Sequence, residues 1–279
     1  MKERLSMVFS FLFLLLIVPY LVTIFINGPQ SCLKSKNADP EEFLPFLVSR
    51  QIPGECDAET MKAQAVITRT NFYFQMQTKD MLTVLKESFQ KHSDLIWFQF
   101  LKDYPKFTDA AEATEELVLT KDGEFYQVPY HKVSAGITRS GSEVLGEEYS
   151  YLESVDSRQD KESYQYLTSV YVEKSRLPDK LEIGEKDSQG YVMTVFIDGE
   201  GISGEAFAKE MGLASSNFSI QEVGEKIRFL CRGEGHGFGM SQFGADFLAE
   251  EGDSYKEILS TYFPQFELER KTVVNKGRF

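Results

Sequence analysis

The most apolar stretch lies near the start of the chain, where residues 7–26 are interrupted only by Ser10, Pro19, Tyr20 and Thr23. About 20 such residues is the length of helix that crosses a hydrocarbon layer, so the pattern predicts a transmembrane helix. Lys2 and Arg4 stand ahead of it and favour a cytoplasmic N-terminus, which places the rest of the chain outside the cytoplasm. No small-residue cleavage signature follows, so residues 1–27 are expected to form a retained single-pass anchor in the cell membrane. Residues 28–40 turn polar, with Gly28-Pro29 and Asp39-Pro40, and read as a linker. Residues 41–279 are left as one extracytoplasmic domain.

Within that domain the period changes from helix to strand. Residues 42–48 form an apolar segment, and Pro53-Gly54 soon after is a sharp stop. Asp57 suits the N-cap of a helix reaching Met76. At 100° per residue, Gln64, Thr68, Asn71 and Gln75 fall together as a solvated stripe. Lys62, Val66, Arg69 and Tyr73 fall opposite, so two cations point into the apolar face. An unpaired charge there is costly and must meet a carboxylate, a carbonyl or a ligand. Residues 81–101 keep a helical period and carry His92 and Trp97, which read as core or surface positions. A loop at Pro105 and a short acidic helix over 109–116 are expected next.

Strand character starts at residue 116. Residues 116–120 and 125–130 flank Lys121-Asp122-Gly123-Glu124 and predict a hairpin. A second hairpin is predicted at Asp198-Gly199, then a helix over 203–211, a strand over 226–231, and helices over 245–251 and 254–262. Residues 149–176 show little periodicity. The mixture predicts an α+β domain with antiparallel strands.

Composition narrows the partners. Acidic residues number 43 against 30 basic ones, a net charge of −13, and such a field repels nucleic acid. Cys32, Cys56 and Cys231 are widely spaced and odd in number, so a Cys56 to Cys231 disulfide and three free thiols both fit. A Cys–His nucleophile has no third orienting group at any suggestive spacing.

The chemistry gathers in two places. Residues 131–138 set His131 beside Ser134, Gly136 and Thr138 at a strand end. Residues 235–245 alternate Gly235, Gly237, Gly239 and Gly244 with His236, Ser241 and Gln242, a spacing that brings backbone close to a neighbour while polar side chains project.

These stretches resemble the stage II sporulation protein D (SpoIID/LytB) family. The glycine loop, with Leu248-Ala249-Glu250-Glu251-Gly252 and Tyr262-Phe263-Pro264 after it, is similar to the family's C-terminal signature. Lys62-Ala63-Gln64-Ala65-Val66 with Arg69-Thr70 is similar to its N-terminal one, and residues 131–138 to its middle element. The resemblance implies a SpoIID-type α+β domain with a glycan groove. It implies a membrane-anchored lytic transglycosylase, which cuts peptide-denuded peptidoglycan glycan strands to 1,6-anhydro ends during engulfment, alongside stage II sporulation proteins P and M. That reaction needs one carboxyl group acting first as acid and then as base. The family's Glu falls here on Gln51, in Gln51-Ile52-Pro53.

An amide has no proton to give, so two readings stand. Either Glu55, four residues on, substitutes as the acid, or the protein is an inactive glycan-binding or scaffold paralogue. By the same resemblance Lys62, Gln64, Arg69, His131, Ser134, Thr138, His236, Ser241 and Gln242 line the groove. Some relatives hold a metal through His and Cys near the middle element. Residues 131–168 contain no cysteine, so neither zinc nor any other cofactor is expected.

Overall fold

The computed structural model describes residues 17–18, 39–90 and 97–271. The chain divides into two compact units, Met1–Glu42 with Val274–Phe279, and Phe43–Val273. The predicted span over residues 7–26 lies outside the described residues except for Ile17 and Val18. Among the described residues no helix is long and apolar enough to cross a membrane.

The second unit runs α1 (Leu44–Ser49), α2 (Ala58–Met76), α3 (Met81–Gln90), α4 (Trp97–Ala113), β1 (Leu117–Thr120), β2 (Tyr130–His131) and α5 (Gly141–Val144). It continues through β3 (Leu167–Glu173), β4 (Leu181–Ile183), β5 (Thr194–Ile197), β6 (Glu200–Ser203), α6 (Gly204–Glu210), β7 (Phe218–Val223) and β8 (Lys226–Arg232). The last elements are β9 (Met240–Ser241), α7 (Gln242–Glu250), α8 (Tyr255–Tyr262) and β10 (Glu267–Arg270). The mixture of helices and mainly antiparallel strands is α+β.

Helix α2 is the axis of this unit. Asp57 caps it by accepting from the Glu59 amide at 2.8 Å, which fixes its start. Ala63, Val66 and Ile67 pack with Leu119, Met240, Ile258 and Phe263. Met61 and Ala65 meet Leu44, Val48 and Phe107 on a second side, and Phe72 and Tyr73 meet Leu47 and Val84 on a third. Between Thr60 and Tyr73 only Lys62 and Asn71 escape burial. The predicted solvated stripe is therefore wrong at Gln64 and Thr68, which are 0% and 2% exposed. A helix enclosed on every side has no solvent face to read. Its polar row instead supplies buried hydrogen bonds.

Pro105 does not break α4. A proline inside a helix forfeits one backbone bond, here against the burial of Phe107, Ala110 and Ala111 on α1 and α2. Of the predicted helix over 81–101, Met81–Gln90 and the residues from Trp97 on are helical, and residues 91–96, with His92, lie outside the described residues.

The Lys121 to Glu124 turn forms, with its two backbone bonds at 3.1 and 3.0 Å, but the hairpin does not. β1 pairs antiparallel with β10, and β2 pairs parallel with β9. Each flank of the turn has a more distant partner, and local spacing carries no sign of either. The Asp198-Gly199 hairpin does form, between β5 and β6, with β4 on the other side of β5. β3, β8 and β7 make a second antiparallel sheet in that order. Phe207 of α6 covers Phe218 and Phe229 there. β3 escaped the sequence pattern because only one of its faces is covered and its outward residues include Leu167 and Tyr171, 56% and 52% exposed. Cys56 and Cys231 are both free thiols.

Candidate functional site

Three side chains close around Gln51. Its Oε1 accepts from Gln64 Nε2 at 2.8 Å and from Thr68 Oγ1 at 2.8 Å. Its backbone carbonyl accepts from Gln242 Nε2 at 2.8 Å, and the same nitrogen donates to Gln64 Oε1 at 3.0 Å. Thr68 has one hydroxyl proton between two acceptors, Gln51 Oε1 and the Gln64 carbonyl at 2.7 Å. Gln64 and Thr68 lie one turn apart on α2, Gln242 opens α7, and Gln51 sits between α1 and the Pro53-Gly54 turn. The cluster therefore joins three parts of the chain. Gln64 and Gln242 are buried, while Gln51 is half-buried. Position 51 is thus held by donors converging on one oxygen, an arrangement that suits a carboxylate as well as an amide.

The glycine loop approaches the protein's own interior. A Cβ on Gly237 would lie 2.6 Å from the Tyr191 hydroxyl, and one on Gly239 would lie 2.1 Å from the Pro129 carbonyl. Both residues have positive φ, +83° and +68°, so no L side chain fits either place. Ser241 caps α7 by accepting from the Gly244 amide at 3.2 Å and is fully buried. Of the three loop residues expected to face a sugar, only His236 is exposed. It lines a pocket of about 300 Å³ with Tyr149, Tyr151, Glu205 and Phe238.

His131 and His236 do meet, with ring centroids 5.8 Å apart. His131 is 4% exposed, and its Nδ1–H donates to the Phe238 carbonyl at 3.0 Å. Its Nε2 is buried without a hydrogen-bond partner, so His131 orders the loop. Burial, reinforced by the neighbouring His236 ring, takes its pKa down to about 3. The folded state then refuses a proton that an unfolded imidazole binds at about 6.5. This contribution to stability is full above pH 6.5 and is lost as pH falls towards 3. Thermal or urea melts should show about 2 kcal/mol less stability at pH 5 than at pH 7 from this residue. His131→Asn, whose amide nitrogen can stand where Nδ1 does, should remove that part of the slope. An unchanged slope would exclude His131 as its source.

Two residues that shape the site escaped sequence reasoning. Arg139, 1% exposed, bonds Asp187 Oδ2 at 2.6 Å, Glu205 Oε1 at 2.5 Å and the His236 carbonyl at 3.2 Å. Its guanidinium lies 4.6 and 4.7 Å from the ring centroids of Tyr191 and Phe238. The one available signal was a cation directly after Thr138 in a run of small residues. Asp160, fully buried, accepts from the Ser134 amide at 2.7 Å. Burial raises its pKa, and nothing in residues 149–176 marked it.

Several predicted groove residues have other duties. Arg69 points inward, as its place on the helix requires, but bonds the carbonyls of Ala111 and Leu117, each at 3.0 Å, and Thr114 Oγ1 at 3.3 Å. It ties the end of α4 to β1. Lys62 pairs with Glu59 at 2.5 Å, and Glu59 also accepts from the Tyr255 amide at 2.8 Å. Ser134 Oγ accepts from the Gly136 amide at 3.0 Å and Thr138 Oγ1 from the Val155 amide at 2.8 Å, and both residues are fully buried. Glu55 is exposed beyond the Pro-Gly turn. It stands near Cys56, whose thiol is pushed up to about 12 by burial, with Asp246, Glu55 and Asp57 adding repulsion. Among the described residues no three His, Cys, Asp or Glu side chains group as a metal-ligand set.

A family model described as stage II sporulation protein matches residues 30–121, which hold Gln51, Gln64 and Thr68. Stage II sporulation protein D of Bacillus subtilis is 27% identical over 254 residues, 82% of this chain and 74% of that protein. The chain is thus similar to stage II sporulation protein D over most of its length. An uncharacterized protein of Brachyspira hyodysenteriae is 25% identical over 252 residues, 85% of this chain and 68% of its own. The amidase enhancer of Bacillus subtilis is 44% identical over 50 residues, which are 18% of this chain and 7% of that protein. Gln242, the fourth member of the glutamine cluster, lies beyond the stretch that the family model matches.

Proposed function

We propose that this protein is a stage II sporulation protein D-type protein that serves the cell wall in sporulation, binding peptide-free peptidoglycan glycan strands at the Gln51 face without cutting them. The observation that carries the reading is the cluster itself. Gln64 and Thr68 converge on position 51 as they would on the family's acid, yet the group held there has no proton to transfer at neutral pH. The side-chain bonds to Gln51 come from Gln64 and Thr68, while Glu55 is exposed past the Pro-Gly turn, which favours the reading without cleavage. Anchoring through residues 7–26, with the domain outside the cytoplasm, belongs to the same proposal. Stage II sporulation proteins P and M are its proposed partners.

The purified protein, titrated with peptide-denuded glycan strands and then analysed by mass spectrometry, should bind the strands and release no 1,6-anhydro ends. Failure to bind would overturn the reading. Anhydro product that disappears in Glu55→Gln would replace it with an enzyme whose acid is Glu55.

A further inference from the structure

We infer that Gln242 is a positioning residue that sets which end of the Gln51 amide faces a ligand. An amide side chain has a donor end and an acceptor end of nearly equal shape, so its direction is decided by its partners. The cluster contains one partner that cannot turn round. The Gln51 backbone carbonyl is an acceptor only, and Gln242 meets it at 2.8 Å, so that contact must be Nε2 of Gln242. The second proton of the same nitrogen then faces Gln64 at 3.0 Å, which requires the Gln64 oxygen there. Gln64 Nε2 is left facing Gln51 at 2.8 Å, and Gln51 must present Oε1 to it.

Each reversal has a defined cost. Turning Gln64 alone would put nitrogen against nitrogen at Gln242 and oxygen against oxygen at Gln51. Turning Gln51 as well would mend the second clash and leave the first. A buried amide with an unmatched end loses a full hydrogen bond, and Gln64 is 0% exposed, so no water relieves it. The direction set at one carbonyl therefore passes through Gln242 and Gln64 and emerges at Gln51 as an outward Nε2–H₂. The group seated on Gln51 must accept a hydrogen bond, as a glycosidic, carbonyl or carboxylate oxygen does. Identifying that group with a glycan oxygen rests on the proposed function, while the direction of the amide does not.

The test needs no glycan. In full-length Gln51→Glu, the new carboxyl signal is assigned by comparing ¹³C spectra with and without the substitution, then titrated. With Gln242 present, the Gln64 donor should hold the pKa of that carboxyl below the ordinary glutamate value of about 4.3. Adding Gln242→Met frees Gln64 to turn its oxygen towards the protonated acid, and the pKa should rise by about one pH unit. A loss of packing alone would leave that titration in place, and an unmoved midpoint in a folded double variant would overturn the inference. If the double variant does not fold, the unsubstituted chain still decides the matter. Nuclear Overhauser contacts from the Gln64 amide protons should reach the Gln51 side chain rather than the Gln242 methylenes, and the reverse pattern would overturn the inference. A moved midpoint without glycan binding would leave the inference standing and remove the functional reading.

Discussion

Gln51→Glu should release 1,6-anhydro ends from peptide-free glycan at least about 10²-fold faster than the unsubstituted chain, because a positioned general acid contributes about 10² to 10⁴ in rate. The substitution changes one NH₂ to oxygen in a place already furnished with donors. Gln64 Nε2 and Thr68 Oγ1 would bond the inner carboxylate oxygen as they now bond Oε1. The outer oxygen would take the exposed position of the amide nitrogen and could carry the proton for the leaving group. The two inner bonds favour the ionised form, so cleavage should be fastest on the acid side of neutrality and decline as pH rises. Product is read by mass spectrometry, with Gln51→Leu as the inert control. A Gln51→Glu variant that folds, binds glycan and yields no product would show that more than the acid is missing.

Arg139→Met should cost about 3–5 kcal/mol, the usual penalty for leaving one partner of a buried ion pair alone. Asp187 has a fully buried side chain, and its Oδ2 would lose a guanidinium held at 2.6 Å. The loss would also release the His236 carbonyl and uncover the faces of Tyr191 and Phe238. Thermal melts should fall by roughly 10 °C, since 1 kcal/mol moves a domain of this size by about 2–4 °C. Arg139→Lys should recover little, because a single ammonium cannot reach two carboxylates and a carbonyl in fixed directions. Adding Asp187→Asn to Arg139→Met should restore part of the loss by discharging the stranded carboxylate. A single-variant loss below about 1 kcal/mol would show that the pair is not held as the geometry indicates.

Helix boundaries and one tight turn were legible in the sequence. Asp57, Pro53-Gly54 and Asp198-Gly199 act through a few neighbouring bonds, so their meaning survives in any fold that tolerates them. Strand partners were not. The Lys121 to Glu124 turn is real, yet β1 joins β10 and β2 joins β9, pairings that span more than a hundred residues. The helical wheel of α2 found the inward direction of Arg69 and misjudged Gln64 and Thr68, because a wheel assumes that one side of a helix meets water.

By itself the sequence determined that the chain mixes helix and strand, that it carries stretches resembling the stage II sporulation protein D signatures, and that an amide, Gln51, stands where that resemblance would put an acid. These follow from residue identity and short-range spacing. Only the tertiary structure decided what surrounds that amide. Gln51, Gln64 and Gln242 are spread over 191 residues and become neighbours when α7 packs on α2. Hydrogen-bond direction depends on atoms about 3 Å apart in space, however far apart they lie in sequence.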